Sequence, residues 1–204
     1  MILVGTMDSP FTRRVMVSMN HYGVAYERRS LSVYSDAAIL REINPLGRSP
    51  ALILDDGEVV FESSFILDFL DQQASDDLVL IPRAGPERRR VLQAVAMGLS
   101  LMEKSVALSA ELRHRTEGTI DPAWVARIQG LITAALDQLE ARAAGTYLVD
   151  NKLSQADATA SVAFANLAAK NPDLVPEARY PGLFALLRRC DDLPAFKASP
   201  LGSG

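Results

Sequence analysis

Pro50-Ala51-Leu52-Ile53-Leu54-Asp55-Asp56-Gly57-Glu58-Val59-Val60-Phe61 is the stretch that decides the fold. Two β-prone runs flank an Asp-Gly turn, the pattern of an antiparallel hairpin. Directly after it, Ser63 or Ser64 is expected to cap a helix reaching about Gln73, with Phe65, Ile66, Phe69 and Leu70 as its apolar stripe. Working back, Asp36 to Ile43 reads as a short helix stopped by Asn44-Pro45 and Gly47. Ile2-Leu3-Val4 is a short apolar run ending at Gly5, as for a buried strand. Ser9 then stands as N-cap with Pro10 at the first helical position. Phe11, Val15, Ser18/Met19 and Tyr22 share a face of that helix, and Gly23 ends it. A second strand is expected around Ala25 to Ser30, so strand–helix–strand makes a right-handed parallel unit. The order is β-α-β-α-β-β-α.

Beyond Pro86 no strand pattern appears. Leu92, Val95, Ala96, Leu99 and Met102 fall at helical spacing, and Val125, Ile128, Ile132, Ala135 and Leu139 do so after Asp121-Pro122. Ser154-Gln155-Ala156-Asp157 resembles a capping box, opening an Ala-rich helix to about Ala169. Pro181 and Pro194 punctuate two shorter helices. Residues 1–76 are thus expected as an α/β domain, 77–85 as a linker and 86–204 as an all-α domain.

The 204 residues are 49% hydrophobic and 23% charged with a net charge of −4, which suits a globular chain and not a disordered one. An acidic balance argues against nucleic acid or an anionic membrane surface as partner. One cysteine, Cys190, rules out an intrachain disulfide or a multi-cysteine metal site; it reads as a packing residue in a reducing compartment. Met1-Ile2-Leu3-Val4-Gly5 lacks the features of a signal peptide, and no unbroken run reaches the roughly 18 apolar residues of a membrane span. The expectation is a soluble cytoplasmic protein without a metal.

Phosphate-loop, dinucleotide, zinc and serine-hydrolase motifs are all absent, and His21 and His114 are too few for a histidine metal site. Three features remain. Ser9-Pro10-Phe11-Thr12-Arg13-Arg14 opens a helix whose N–H groups and partial positive charge favour an anion such as a thiolate, although Ser9 could equally serve only as a cap. Asn44-Pro45-Leu46-Gly47-Arg48-Ser49-Pro50 precedes the hairpin; a cis bond at Pro50 would turn the Ser49 backbone toward an extended peptide, yet local sequence does not establish that isomer. Phe61-Glu62-Ser63-Ser64 offers a carboxylate for an ammonium group and a helix start for a carboxylate, or else an ordinary cap.

In this joint order, with Ser154-Gln155-Ala156-Asp157-Ala158 downstream, the sequence resembles the glutathione S-transferases, most of all bacterial members whose first helix begins Ser-Pro-Phe. The resemblance covers essentially the whole chain and implies a thioredoxin-like domain followed by an all-helical one. It implies that Pro50 is the family's cis-proline, so that Ser49 presents its backbone to the cysteinyl part of glutathione. Glu62 and Ser63 would hold the γ-glutamyl head and Arg48 the glycyl carboxylate, while Ser154 and Asp157 would serve folding. Ser9 falls at the activating position. Ser49 stands where Val is commoner, and no cysteine lies near Ser9, so mixed-disulfide chemistry is not supported.

The implied reaction is conjugation of glutathione, as co-substrate, to a small apolar electrophile in a cleft between the domains. A free thiol of pKa about 8.5 is only about 3% ionised at pH 7. A charge-assisted hydrogen bond worth about 1.5–3 kcal/mol, against about 1.4 kcal/mol per pKa unit, would bring it near neutrality. Ser9 is the expected donor; Thr12 or backbone N–H groups are the alternatives. Met7, Phe11, Met97, Leu101 and His114 are the expected electrophile lining. The resemblance also implies a homodimer. Rival readings on the same fold are a glutathione-dependent isomerase or dehalogenase, and a non-catalytic interaction protein. The Arg88-Arg89-Arg90 run reads as a solvated helix face.

Overall fold

A computed structural model describes residues 1–116 and 118–202. They form two compact units, Met1–Leu80 with the closing segment from Asp191 onward, and Ile81–Cys190.

The first unit holds β1 (Ile2–Val4), α1 (Pro10–His21), β2 (Glu27–Arg29), α2 (Ala37–Ile43), β3 (Ala51–Ile53), β4 (Val59–Phe61) and α3 (Ser63–Gln73). The sheet order is β2-β1-β3-β4. β1 runs parallel to β2 and antiparallel to β3, and β3 pairs antiparallel with β4. This is the thioredoxin-like order, hairpin included; Glu58 N–H bonds to the Asp56 side chain at 3.0 Å in the turn. One side of the sheet is covered by Leu3, Val15, Met16, Met19, Leu52 and Ile66, the other by Val4, Leu40 and Ala51.

Two details depart from the one-face reading of α1 and from the expected domain limits. α1 is buried on nearly every side, Arg13 and Arg14 included. The closing segment covers one side: Arg13 Nε donates to the Ser199 carbonyl at 2.8 Å and Asn20 Nδ2 to the Ser199 hydroxyl at 2.7 Å, while Arg14 faces α3, where its Nη2 donates to Ser64 Oγ. Residues from Asp191, including the short helix α8 (Pro194–Lys197), therefore belong with the first unit and not with the helices they follow.

The second unit is helical, without strands among the described residues: α4 (Gly85–His114), α5 (Pro122–Glu140), α6 (Gln155–Lys170), a 3-10 turn (Pro172–Leu174) and α7 (Pro181–Asp191, its last residue falling at the unit boundary). α4 is long and apolar enough to cross a membrane by length and composition alone; here it is the central helix, packed by α5 and α6. Its buried stripe is Val91, Ala94, Val95, Gly98, Leu101 and Met102, shifted from the expected one, and Leu92 is exposed. The shift follows from close approach. A Cβ on Gly98 would stand 3.0 Å from Thr159 Cγ2 and 3.2 Å from the Ala160 nitrogen of α6.

The capping box is present as expected. Ser154 Oγ accepts from Ala156 N–H at 3.3 Å, and Asp157 Oδ2 accepts from the Ser154 N–H and hydroxyl at 2.9 Å each. Asp157 Oδ1 also takes the Leu148 N–H at 2.8 Å, tying the preceding loop to the helix. Burial pushes the Asp157 carboxyl above the usual range, against the pull of these bonds. Cys190 is buried and takes part in no disulfide among the described residues.

Candidate functional site

Strand register brings the three sequence features to one end of the sheet. Val4 pairs with Ala51, and Ala51 with Phe61. The next positions outward are Gly5 after β1, Pro50 before β3 and Glu62 after β4, so the Ser9 loop, the Ser49-Pro50 turn and the Glu62-Ser63 corner leave three adjacent strands on the same edge.

Ser9 caps α1. Its Oγ accepts the Thr12 N–H at 3.3 Å, a bond that leaves the hydroxyl proton uncommitted. Thr12 is placed differently: its side chain is 1% exposed and its Oγ1 is buried without a hydrogen-bond partner, packed against Gly5. Gly5 has φ +146, and a Cβ there would clash with Thr12 Oγ1 and stand 3.2 Å from Ser49 Cβ. Bare backbone at this position is what lets the β1–α1 loop and the Ser49 turn close up.

The Ser49-Pro50 peptide is cis, with Pro50 buried and Ser49 half-buried. Asn44, 1% exposed, organises the loop before it: Nδ2 donates to the Arg48 carbonyl at 2.7 Å and Oδ1 accepts the Leu46 N–H at 3.0 Å. The Arg48 side chain stands exposed beyond that anchor.

At the third segment the cap of α3 is Glu62, not Ser63 or Ser64. Glu62 adopts φ 72, unusual for a residue with a Cβ, and its side chain folds back onto the helix start. Oε2 accepts the Ser64 N–H at 3.0 Å and Oε1 the Ser63 hydroxyl at 3.2 Å. The exposed Glu62 carboxylate and the buried Ser63 are thereby held together at the helix end. The stripe behind them is Ile66, Leu67 and Leu70, while Phe65 points outward, 68% exposed.

Beneath this corner lies Arg14, with no solvent exposure. Its Nη2 donates to Ser64 Oγ at 2.8 Å, and its Nε and Nη1 have no hydrogen-bond partner. Burial lowers its pKa to about 10, partly opposed by the negative charge of Glu62, so it is a cation at neutral pH. The sequence gives no sign of this role, since an arginine beside another arginine reads as a solvated face. Asn44 and Gly5 are the other contributors that pattern reading missed, though a Gly directly after a strand is a signal for Gly5.

The expected electrophile lining divides. Met7, Phe11 and Met97 are half-buried. Leu101 is fully buried in the α4 stripe, a packing residue and not a lining one. His114, at the end of α4, is exposed on a cavity of about 390 Å³ within the helical unit, beside Trp124 and Arg115. A cavity of about 690 Å³ in the first unit lies at the far end of α1, against Asn20, Tyr26 and Arg28, and not at Ser9.

A thioredoxin-like unit with these three segments on one sheet edge, followed in sequence by an all-helical unit, has the two-domain organisation of the glutathione S-transferases. The family models agree: residues 3–78 match the glutathione S-transferase N-terminal domain and 122–189 the C-terminal domain. A glutathione transferase family member from Pseudomonas fluorescens Pf-5, solved with bound glutathione, is 30% identical over 99% of each chain, with a TM-score of 0.90. The chain belongs to the glutathione S-transferase family. A glutathione S-transferase from Methylobacterium radiotolerans, in complex with glutathione sulfonate, shares the fold at 24% identity and TM-score 0.91, over 100% of this chain and 96% of its own. Among curated relatives, the uncharacterized GST-like protein YibF of Escherichia coli is 29% identical over 75% of this chain and 72% of its own. A probable maleylacetoacetate isomerase of Caenorhabditis elegans is 27% identical over 97% and 92%.

Proposed function

We propose that this protein is a glutathione transferase that binds glutathione along the Ser9–Ser49–Glu62 edge and joins its sulfur to a small apolar electrophile. The carrying observation is the strand register that sets the α1 start, the cis Ser49-Pro50 turn and the Glu62-Ser63 corner on adjacent strands. In this reading the Glu62 carboxylate takes the γ-glutamyl ammonium group, while Ser63 and the α3 N–H groups take its carboxylate. The Ser49 backbone pairs with the cysteinyl unit, and Arg48 meets the glycyl carboxylate. Ser9 then donates its uncommitted proton in a hydrogen bond to sulfur and, with the α1 terminus, favours the thiolate. The thiolate attacks an electrophilic carbon, and the leaving group departs with its electron pair, or the thiolate adds to an activated double bond that is then protonated. The bound glutathione of the Pseudomonas relative supports the choice of co-substrate.

The test is a pH titration of protein-bound glutathione, read by thiolate ultraviolet absorbance in wild type and Ser9→Ala. A lowered thiol pKa that rises in the variant is expected. Equal lowering in both moves activation to the helix end, and absence of binding overturns the reading. Glutathione-dependent isomerisation is the second reading, favoured by the near full-length likeness to the probable isomerase; turnover of a cis-enone acid without consumption of glutathione would select it. We also propose a cytoplasmic homodimer. Leu46 and Phe65, 63% and 68% exposed on the first unit, are apolar side chains available to such an interface, and light scattering of the purified chain checks the mass.

A further inference from the structure

We propose that Arg14 is a positioning residue for the γ-glutamyl end of the site, acting through Ser64; this rests on the glutathione reading above. A guanidinium with no exposure and a single neutral acceptor is a poor packing residue, because its charge is stripped of water without being neutralised by contact. Nothing in the helical pattern of α1 requires a cation there, and an apolar side chain of similar length would fill the same space. What the charge does reach is the β4–α3 corner. Arg14 fixes the Ser64 hydroxyl at 2.8 Å, and the Ser64 N–H in turn holds Glu62 Oε2 at 3.0 Å. Glu62 also supplies the attractive charge felt by Arg14. Arg14 thus holds Ser64 from below while the corner keeps Glu62 at φ 72 with its carboxylate beside Ser63.

The chain of contacts has a directional consequence. A residue that only packs would, when replaced, loosen the whole unit and weaken every part of the ligand equally. A residue that positions the corner would selectively affect the γ-glutamyl group, leaving the cysteinyl contacts at Ser49 untouched. The two roles therefore separate on the ligand and not on stability.

The experiment measures the affinity of the full-length protein for glutathione and for cysteinylglycine, which lacks the γ-glutamyl head, in wild type, Arg14→Met, Arg14→Lys and Ser64→Ala, with thermal unfolding of each. Arg14→Met and Ser64→Ala are expected to weaken glutathione about tenfold with cysteinylglycine unchanged, and Arg14→Lys to recover part of the loss. The Arg14→Met midpoint is expected to be equal or higher. Unchanged glutathione affinity in folded Arg14→Met or in Ser64→Ala overturns the proposal, and so does equal weakening of both ligands. If Arg14→Met does not fold, Ser64→Ala decides alone. Wild type that binds no glutathione overturns the functional reading and this proposal together, whereas wild-type binding with unaltered variants removes only the role of Arg14.

Discussion

Ser9 Oγ accepts the Thr12 N–H at 3.3 Å, so one side chain caps α1 while its own hydroxyl proton stays available to donate. Capping and thiol activation are therefore confounded in Ser9→Ala, which is expected to cost about 1 kcal/mol of stability besides any loss of rate. Ser9→Asp separates them. A carboxylate caps as well as a hydroxyl but cannot donate and repels a thiolate. Its unfolding midpoint should stay near wild type while the pKa of bound glutathione rises above that in Ser9→Ala.

Gly5 is fixed by what stands over it. Replacement by alanine combines φ +146 with a Cβ pressed on Thr12 Oγ1 and Ser49. Gly5→Ala is expected to destabilise by about 2–4 kcal/mol, read by urea unfolding, and to weaken glutathione binding by separating the Ser9 loop from the Ser49 turn.

Arg14 gives a pH signature. Its pKa is lowered on folding to about 10, chiefly because burial disfavours the charge. Above about pH 10 the native state has released a proton that the unfolded chain still holds, so the stability linked to this group rises with pH until the unfolded chain titrates as well. Below pH 10 the full penalty is present, about 3 kcal/mol. Arg14→Met removes it. The stability advantage of the variant over wild type should therefore be constant below pH 10 and shrink above it, measured as a difference in urea-unfolding free energy. An advantage that grows above pH 10 contradicts the burial penalty.

Asp157 serves folding. Its carboxylate receives Leu148 N–H, Ser154 N–H and the Ser154 hydroxyl, and alanine would leave buried donors without partners. Asp157→Ala is expected to cost about 2–4 kcal/mol and Ser154→Ala about 1 kcal/mol. Because they share bonds, the double variant should lose less than the sum. Circular-dichroism melts test this, and glutathione affinity of the folded fraction should not change.

The amino-acid sequence by itself determined the element order of the first unit, the hairpin at Asp55-Asp56-Gly57, the Ser9 and Ser154 caps and the succession of helices without strands among the described residues after residue 85. The caps and the turn are set by bonds spanning a few residues, and the elements by apolar spacing and turn residues, so a short window is enough to read them. Tertiary structure decided the rest. Ser64 lies 50 positions from Arg14, and Ser199 lies 186 from Arg13. No local pattern distinguishes those two arginines from a solvated pair, because burial depends on what the chain brings from far away. The same reason explains the stripe of α4, set by Gly98 meeting α6, and the Glu62 cap. Ser63 and Ser64 are ordinary cap residues by sequence. Glu62 took the position because its carboxylate meets the Ser63 hydroxyl and the Ser64 N–H, whose side chain is held by a cation from another helix.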